Sequence, residues 1–379
     1  MKKVFKIIAL LVVLLIVLVI AYAGYRFASN TETIYPYSYK PIKVDPQEIN
    51  LAQEADIVLL GDSAAQDMGP YLDLFKEKTL SFLKEPLQIY NWGRAGENLA
   101  HTLAKVKSLK KMPLLFIYHG GLDELDRARF NPRYLKTLGN NIKLAQNEKI
   151  LSTILSLPVA SRLIYHPYPH VELNEQALPF PRDLSLEQSL KSLEYLYTLY
   201  QWEAMELTNY LRRKDANLWF IPQAYNLLER PSRNCIASGN IQIQNVLKDI
   251  EKLLDQKRSK EAVSKLLKII QNETGHAETY YVLGKAFIKE GQYKKAKKAF
   301  YQALILDCDL KRSNPLMLKI LMEEVEKKDF KVIDFNRLVT ANLGRRLMFE
   351  GLRTPQRLYY ERLVQELVKR FEQFIRNKE

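Results

Sequence analysis

The residues best placed to do chemistry are Asp62 and Ser63, which follow the apolar run Ile57-Val58-Leu59-Leu60 and a single glycine, Gly61. A short continuous apolar run bounded by turn residues predicts a strand buried in a parallel sheet. In open α/β sheets, ligands bind beyond the carboxyl ends of the strands. A hydroxyl at Ser63 therefore stands where a nucleophile is useful. The same residues also fit a plain structural role, since Gly61 permits a sharp turn and Asp62 or Ser63 can cap the helix that follows. Both readings stand on these residues alone. Two other clusters share this strand-end character: Asn91-Trp92-Gly93-Arg94-Ala95-Gly96 after an apolar run at 87–90, and His119-Gly120-Gly121-Leu122-Asp123-Glu124 after one at 112–118.

Positioning such clusters side by side requires a sheet. Strands are predicted at 56–60, 87–90, 112–118, 217–222 and 330–334, and helices at 64–84, 97–110, 185–214 and 355–376. Strands alternating with helices predict an α/β fold with a parallel, doubly wound sheet. Residues 127–190 read as a less regular insert carrying His166-Pro167-Tyr168-Pro169-His170 and Pro179-Phe180-Pro181. Prolines forbid the helix that would bring His166 and His170 together as metal ligands, so this segment reads as a stiffened aromatic loop, a lid or substrate wall. Residues 243–312 change character to helical pairs. With Ala277 as position one of a 34-residue unit, Tyr280, Leu283, Gly284, Phe287, Ala296, Phe300 and Ala303 fall where a tetratricopeptide repeat packs, and Gly291 falls at its turn. Ala262 marks a weaker first copy, and Cys308 replaces the usual late proline.

Taken together, the strand-end blocks resemble those of the SGNH (GDSL-type) hydrolases, and more narrowly the membrane-anchored bacterial members with inserted tetratricopeptide repeats. The resemblance covers about 55–376 and implies an α/β/α sandwich that hydrolyses esters of glycans or lipids. It implies that Ser63 is the nucleophile, with its N–H and that of Gly96 in the oxyanion hole, and that Asn91, Gly93 and Gly96 form the Asn-x-Gly-x-x-Gly block. Such donors must be aimed at the developing oxyanion. The third block, Gly-x-Asn-Asp/Glu, is read as Gly120-Gly121-Leu122-Asp123, with a leucine at the asparagine. The last block, Asp-x-x-His, is read with Glu350 at the aspartate and Arg353 at the histidine. Arginine is no general base near neutral pH, and the last histidine in the chain is His276. Without its base a serine hydroxyl is a weak nucleophile.

The expectation is a degenerate site that binds an envelope glycan, a lipid or, through the repeats, a protein partner. The alternative is an active ester hydrolase with His119 as substitute base, or His166 or His170 from the insert. For His119 the competing role is a strand-end histidine hydrogen-bonded to a loop. Glu350 and Arg353 are expected to pair with each other, or Arg353 to grip an acyl or uronic carboxylate.

The chain of 379 residues carries a formal net charge of +14 and is 47% hydrophobic. The basic residues are spread along it without a nucleic-acid motif, so a solvated basic surface is expected and nucleic acid is not. No Cys/His cluster has metal-ligand spacing, and no cofactor is expected. Lys2, Lys3 and Lys6 precede an apolar run from Ile7 to Tyr25 that is long enough to span a bilayer. The lysines should stay cytoplasmic, leaving the body outside as a single-pass membrane protein. Ala21-Tyr22-Ala23 also resembles a cleavage site; an uncleaved anchor is the favoured reading. Residues 26–54, with Pro36, Pro41 and Pro46, read as a stalk. Cys235 and Cys308 can pair in an oxidising compartment or remain buried thiols. The expected layout is an anchor (1–25), the stalk, a first α/β part (55–242), the helical insert (243–312) and a last α/β part (313–379).

Overall fold

The computed structural model describes residues 2–29, 38–39, 42–124, 128–130, 135–146, 160–161, 164–165, 170–173, 186–231, 241–307 and 315–378. The chain forms two compact units, Met1–Pro41 with Arg129–Leu173, and Ile42–Ala128 with Asn174–Glu379.

The first unit contains helix α1 (Lys2–Ser29), helix α6 (Leu135–Gln146) and a sheet of short strands in the order β1 (Ser38–Tyr39), β6 (His170–Leu173), β5 (Ala128–Phe130). The apolar run expected as an anchor is helical, and the side chains from Leu11 to Ile20 are exposed. Side chains of this helix are described over 11–25, and among the described residues no helix is long and apolar enough to cross a membrane. The expected span is thus not found there. His166, Cys235, Cys308 and most of the proline-rich insert lie outside the described residues.

The second unit is built on a five-stranded sheet in the order β3 (Ile89–Asn91), β2 (Ile57–Gly61), β4 (Leu115–Gly120), β7 (Leu218–Pro222), β8 (Lys331–Val332). Every neighbouring pair runs parallel. The five expected strands are all present. Side chains alternate across the sheet. Ile57, Leu59, Leu115, Ile117, Trp219 and Ile221 join one buried cluster with Phe75 of α4 (Leu72–Thr79) and Leu363, Leu367 and Phe371 of α14 (Arg357–Arg376). Val58, Leu60, Phe116, Tyr118 and Phe220, also buried, fall on the opposite face. There α5 (Leu99–Ser108) packs against α7 (Leu186–Arg213). Burying a side chain of this size contributes about 1.5–3 kcal/mol, so the sheet holds the frame of the site rigidly.

One expectation is corrected. The stalk was expected to be extended up to residue 54, but Pro46–Glu54 is a helix, α2, capped by Asp45, whose carboxylate accepts the Gln47 N–H at 2.8 Å. Proline fits the first helical turn because its missing N–H is not needed there. The helical insert packs onto the α/β part. Helices α8 (Ile241–Asp255), α9 (Ser259–Asn272), α10 (Ala277–Lys289) and α11 (Tyr293–Ile305) pack in sequence, and their apolar faces share the buried cluster of the sheet. Gly284 lets α10 approach α11 closely: a Cβ there would come within 2.6 Å of the Phe300 ring. Helices α12 (Pro315–Glu326) and α13 (Phe335–Thr340) flank β8.

Candidate functional site

The site forms where β2, β3 and β4 end. Gly61 closes β2 with φ of +135°, and a Cβ there would lie 1.8 Å from the His119 carbonyl oxygen on β4. Only glycine fits this turn. The chain then enters α3 (Ser63–Met68), whose N-cap is Asp62. Asp62 is fully buried, and it is saturated by backbone. Its Oδ1 accepts from the Ala64 N–H at 2.9 Å. Its Oδ2 accepts from the N–H groups of Gly121 at 2.9 Å, Leu122 at 2.6 Å and Asp123 at 2.9 Å. Asp62 thereby clamps the loop after β4 onto the turn after β2. Burial and the nearby Asp123 charge push its carboxyl up to about 7, against the pull of those N–H bonds.

The loop after β3 supplies the next part. The Asn91 side chain accepts from the Gly93 N–H at 3.1 Å and donates to the Ala65 carbonyl at 3.0 Å. Gly93 is pressed against α3, where a Cβ would come within 2.4 Å of Ala65. The backbone then turns through Gly96, at φ of +80°.

On this frame the N–H groups of Ser63 and Gly96 converge on one atom, Oδ2 of Asp123, at 3.2 Å and 2.8 Å. The Ser63 hydroxyl donates to the same oxygen in a short hydrogen bond. The other oxygen, Oδ1, lies 3.4 Å from Nη1 of Arg353. Asp123 is only 2% exposed. Arg353 is carried by a short antiparallel hairpin, β9 (Phe349–Glu350) and β10 (Thr354–Pro355). The hairpin is tied down by Gln223, which donates to the Arg353 carbonyl at 3.2 Å, and by the Thr354 hydroxyl, which donates to Asp67 at 3.0 Å.

The structure thus brings together Asp62, Ser63, Asn91, Gly93, Gly96, Gly121, Asp123 and Arg353. Glu350 is exposed on β9, and Arg353 reaches Asp123 rather than serving only the pair expected with Glu350. His119 is the main correction. Its ring is fully buried and hydrogen-bonded through Nδ1 to the Ile221 carbonyl at 2.6 Å. It packs edge-on to Phe335 and Tyr360, at centroid distances of 5.6 Å and 6.3 Å. Burial lowers its pKa to about 4, so it is neutral. Among the described residues the Ser63 hydroxyl bonds to Asp123 alone, and no histidine serves it. His170 belongs to the first unit, paired to Ser38.

The third block is also corrected by one residue. Leu122 is 3% exposed and offers the site only its backbone, through Asp62. The side chain that enters the ring of donors is Asp123. Read as Gly121-Leu122-Asp123-Glu124, the block places aspartate, not leucine, where a neutral amide was expected. The signal was present in the sequence, since Asp123-Glu124 matches the end of that block in size and polarity. The change is chemically large. An amide nitrogen donates, whereas a carboxylate only accepts. Asp123 therefore engages the N–H groups of Ser63 and Gly96.

No family model and no curated protein matches the chain. Among solved structures it is similar to a lipase/acylhydrolase from Enterococcus faecalis, at 13% identity and a TM-score of 0.32, over 83% of this chain and 93% of the other. It is also similar to BT4096, described as a gut microbial diltiazem-metabolizing enzyme, at 9% identity and a TM-score of 0.33. That match covers 88% of this chain and 48% of the other, so the chain spans about half the length of that protein.

Proposed function

We propose that this chain is an SGNH-hydrolase-like protein that has kept the frame of an ester-hydrolase site and uses it to bind rather than to turn over. The observation that supports this reading is the position of the Asp123 carboxylate, which accepts from the Ser63 N–H, the Gly96 N–H and the Ser63 hydroxyl at once. An acyl transfer needs those N–H groups for the negative charge that develops on the carbonyl oxygen. A carboxylate already bonded to them repels that charge. The same hydrogen bond suggests a second reading, ester hydrolysis with Asp123 as the base for Ser63. It is the weaker one, because a single oxygen would have to serve as base and vacate the hole.

The ligand proposed is an envelope glycan or lipid, with the helix pairs α8–α11, read as tetratricopeptide-like, as the surface for a protein partner. The location proposed, at a membrane with the body extracytoplasmic, rests on Lys2, Lys3 and Lys6 ahead of the apolar run.

The test is a serine-reactive phosphonate applied to the purified full chain and read by intact mass, with Ser63→Ala as control. Phosphonates need an activated serine. The expected result is no adduct on a folded protein. Stoichiometric labelling that disappears in Ser63→Ala would overturn the binding reading in favour of hydrolysis.

A further inference from the structure

The geometry points to a carboxylate-binding cradle formed by Ser63, Gly96 and Arg353, in which Asp123 is a built-in occupant that a carboxylate-bearing ligand displaces. This inference rests on the binding reading above and names the ligand class.

Three observations carry it. First, the donors match one planar carboxylate. One oxygen takes two backbone N–H groups and a hydroxyl, and the other faces a guanidinium. Charge-assisted bonds of this kind are the strong ones. Second, the cradle opens to solvent although its occupant does not. Ser63 and Gly96 are only partly buried and the Arg353 side chain is 30% exposed, whereas Asp123 is 2% exposed. A ligand can reach these residues only by moving Asp123 off them. Third, the surroundings favour a monoanion. Asp62 stands next to the cradle with its own oxygens filled by backbone N–H bonds, so it takes none of these donors. Asp67 is held by Thr354 on the neighbouring strand. A monocarboxylate takes over the donors and leaves the tethered Asp123 carboxylate to move off them, whereas a dianion such as phosphate would bring a further charge beside Asp62, Asp67 and the displaced Asp123.

Asp123 acts as an intramolecular competitor. It is covalently present at a high effective concentration, so a free carboxylate must bring further contacts to displace it. Removing the Asp123 side chain should leave the cradle open to the smallest carboxylates.

The experiment uses the full chain with Asp123→Ala and, in case that variant folds poorly, Asp123→Ser. Formate and acetate are titrated against chloride at equal ionic strength, and thermal unfolding is followed. Saturating formate should raise the midpoint of the folded variant by about 4 °C, with no effect on the native chain or on Asp123→Ala/Arg353→Ala. In the native chain, glucuronate and octanoate separate a glycan carboxylate from an acyl one, with the Ser63 and Gly96 amide resonances as readout. A shift with one of them is expected and identifies the source. No formate effect in either folded variant, an equal effect without Arg353, or no response of the native chain to both acids would overturn the proposal. Its failure is distinct from failure of the binding reading, which only labelling of Ser63 would bring down.

Discussion

The turn at 61–63 and the hairpin at 349–355 contribute to the same site in different ways. The turn works through backbone: a glycine no other residue can replace, an N–H aimed by the start of α3, and a buried carboxylate that clamps a second loop. The hairpin works through one side chain, Arg353, whose identity decides the chemistry while leaving its own backbone unaffected. The first kind of contribution is written into the fold and is costly to change. The second is replaced by a point substitution. The backbone frame of the site and the side chains presented on it divide along that line.

The strongest way to break the comparison is Gly61→Ala. A Cβ would have to occupy space 1.8 Å from a carbonyl oxygen at φ of +135°. Strain and overpacking together should cost about 3–5 kcal/mol, read as a loss of the urea midpoint or of folded protein. A change under 1 kcal/mol would mean that the turn is far more pliable than its packing indicates. Next is Asp62→Ala, which strips the acceptor from the N–H groups of Ala64, Gly121, Leu122 and Asp123. Water can relieve part of the deficit, leaving an expected loss of about 3 kcal/mol. Hydrogen exchange should then rise at residues 121–123, and unaltered protection there would argue against the clamp. By contrast, Arg353→Ala should cost about 1 kcal/mol or less, since the side chain is 30% exposed and its partner keeps other donors. If Arg353→Ala unfolded the protein, the hairpin would be part of the frame after all.

The same division explains what the sequence made legible. Three of the five strands were readable as apolar runs that stop at Gly61, Gly120 and Pro222, whereas β3 and β8 rested on shorter, partly polar runs. Ser63 was readable at a strand end from the apolar run before it, whereas Gly96 was set beside it only by the family resemblance. His119 was misplaced because proximity along a strand end does not tell which face a side chain takes. It lies on the face of Ile117, against Phe335 and Tyr360. Asp123 was misread by a single position, since the short loop after β4, with two adjacent glycines, has no periodicity to fix its register. Helix α2 was missed because Pro46 resembles a linker residue until Asp45 is recognised as its cap. The reach of Arg353 to Asp123 across 230 positions was beyond any local pattern.

The subtlest prediction concerns pH and sharpens the link between the two carboxylates. Asp62 is pushed up to about 7 in the folded protein from an ordinary 3.8, first by burial and then by the charge of Asp123. Its contribution to stability is fully present below about pH 4, where it is protonated in both states. The contribution is lost as the pH rises toward 7, because the unfolded chain gives up the proton freely while the folded chain must ionise a buried group. Other carboxylates overlay this trend, so the informative quantity is the difference between two proteins. Asp123→Asn keeps the shape of the side chain and removes its charge, which should lower the folded-state pKa of Asp62. Urea midpoints measured from pH 4 to 8 should level off at lower pH in Asp123→Asn than in the native chain. Coincident profiles would mean that Asp62 does not feel the Asp123 charge, and that Asp62 owes its raised pKa to burial alone.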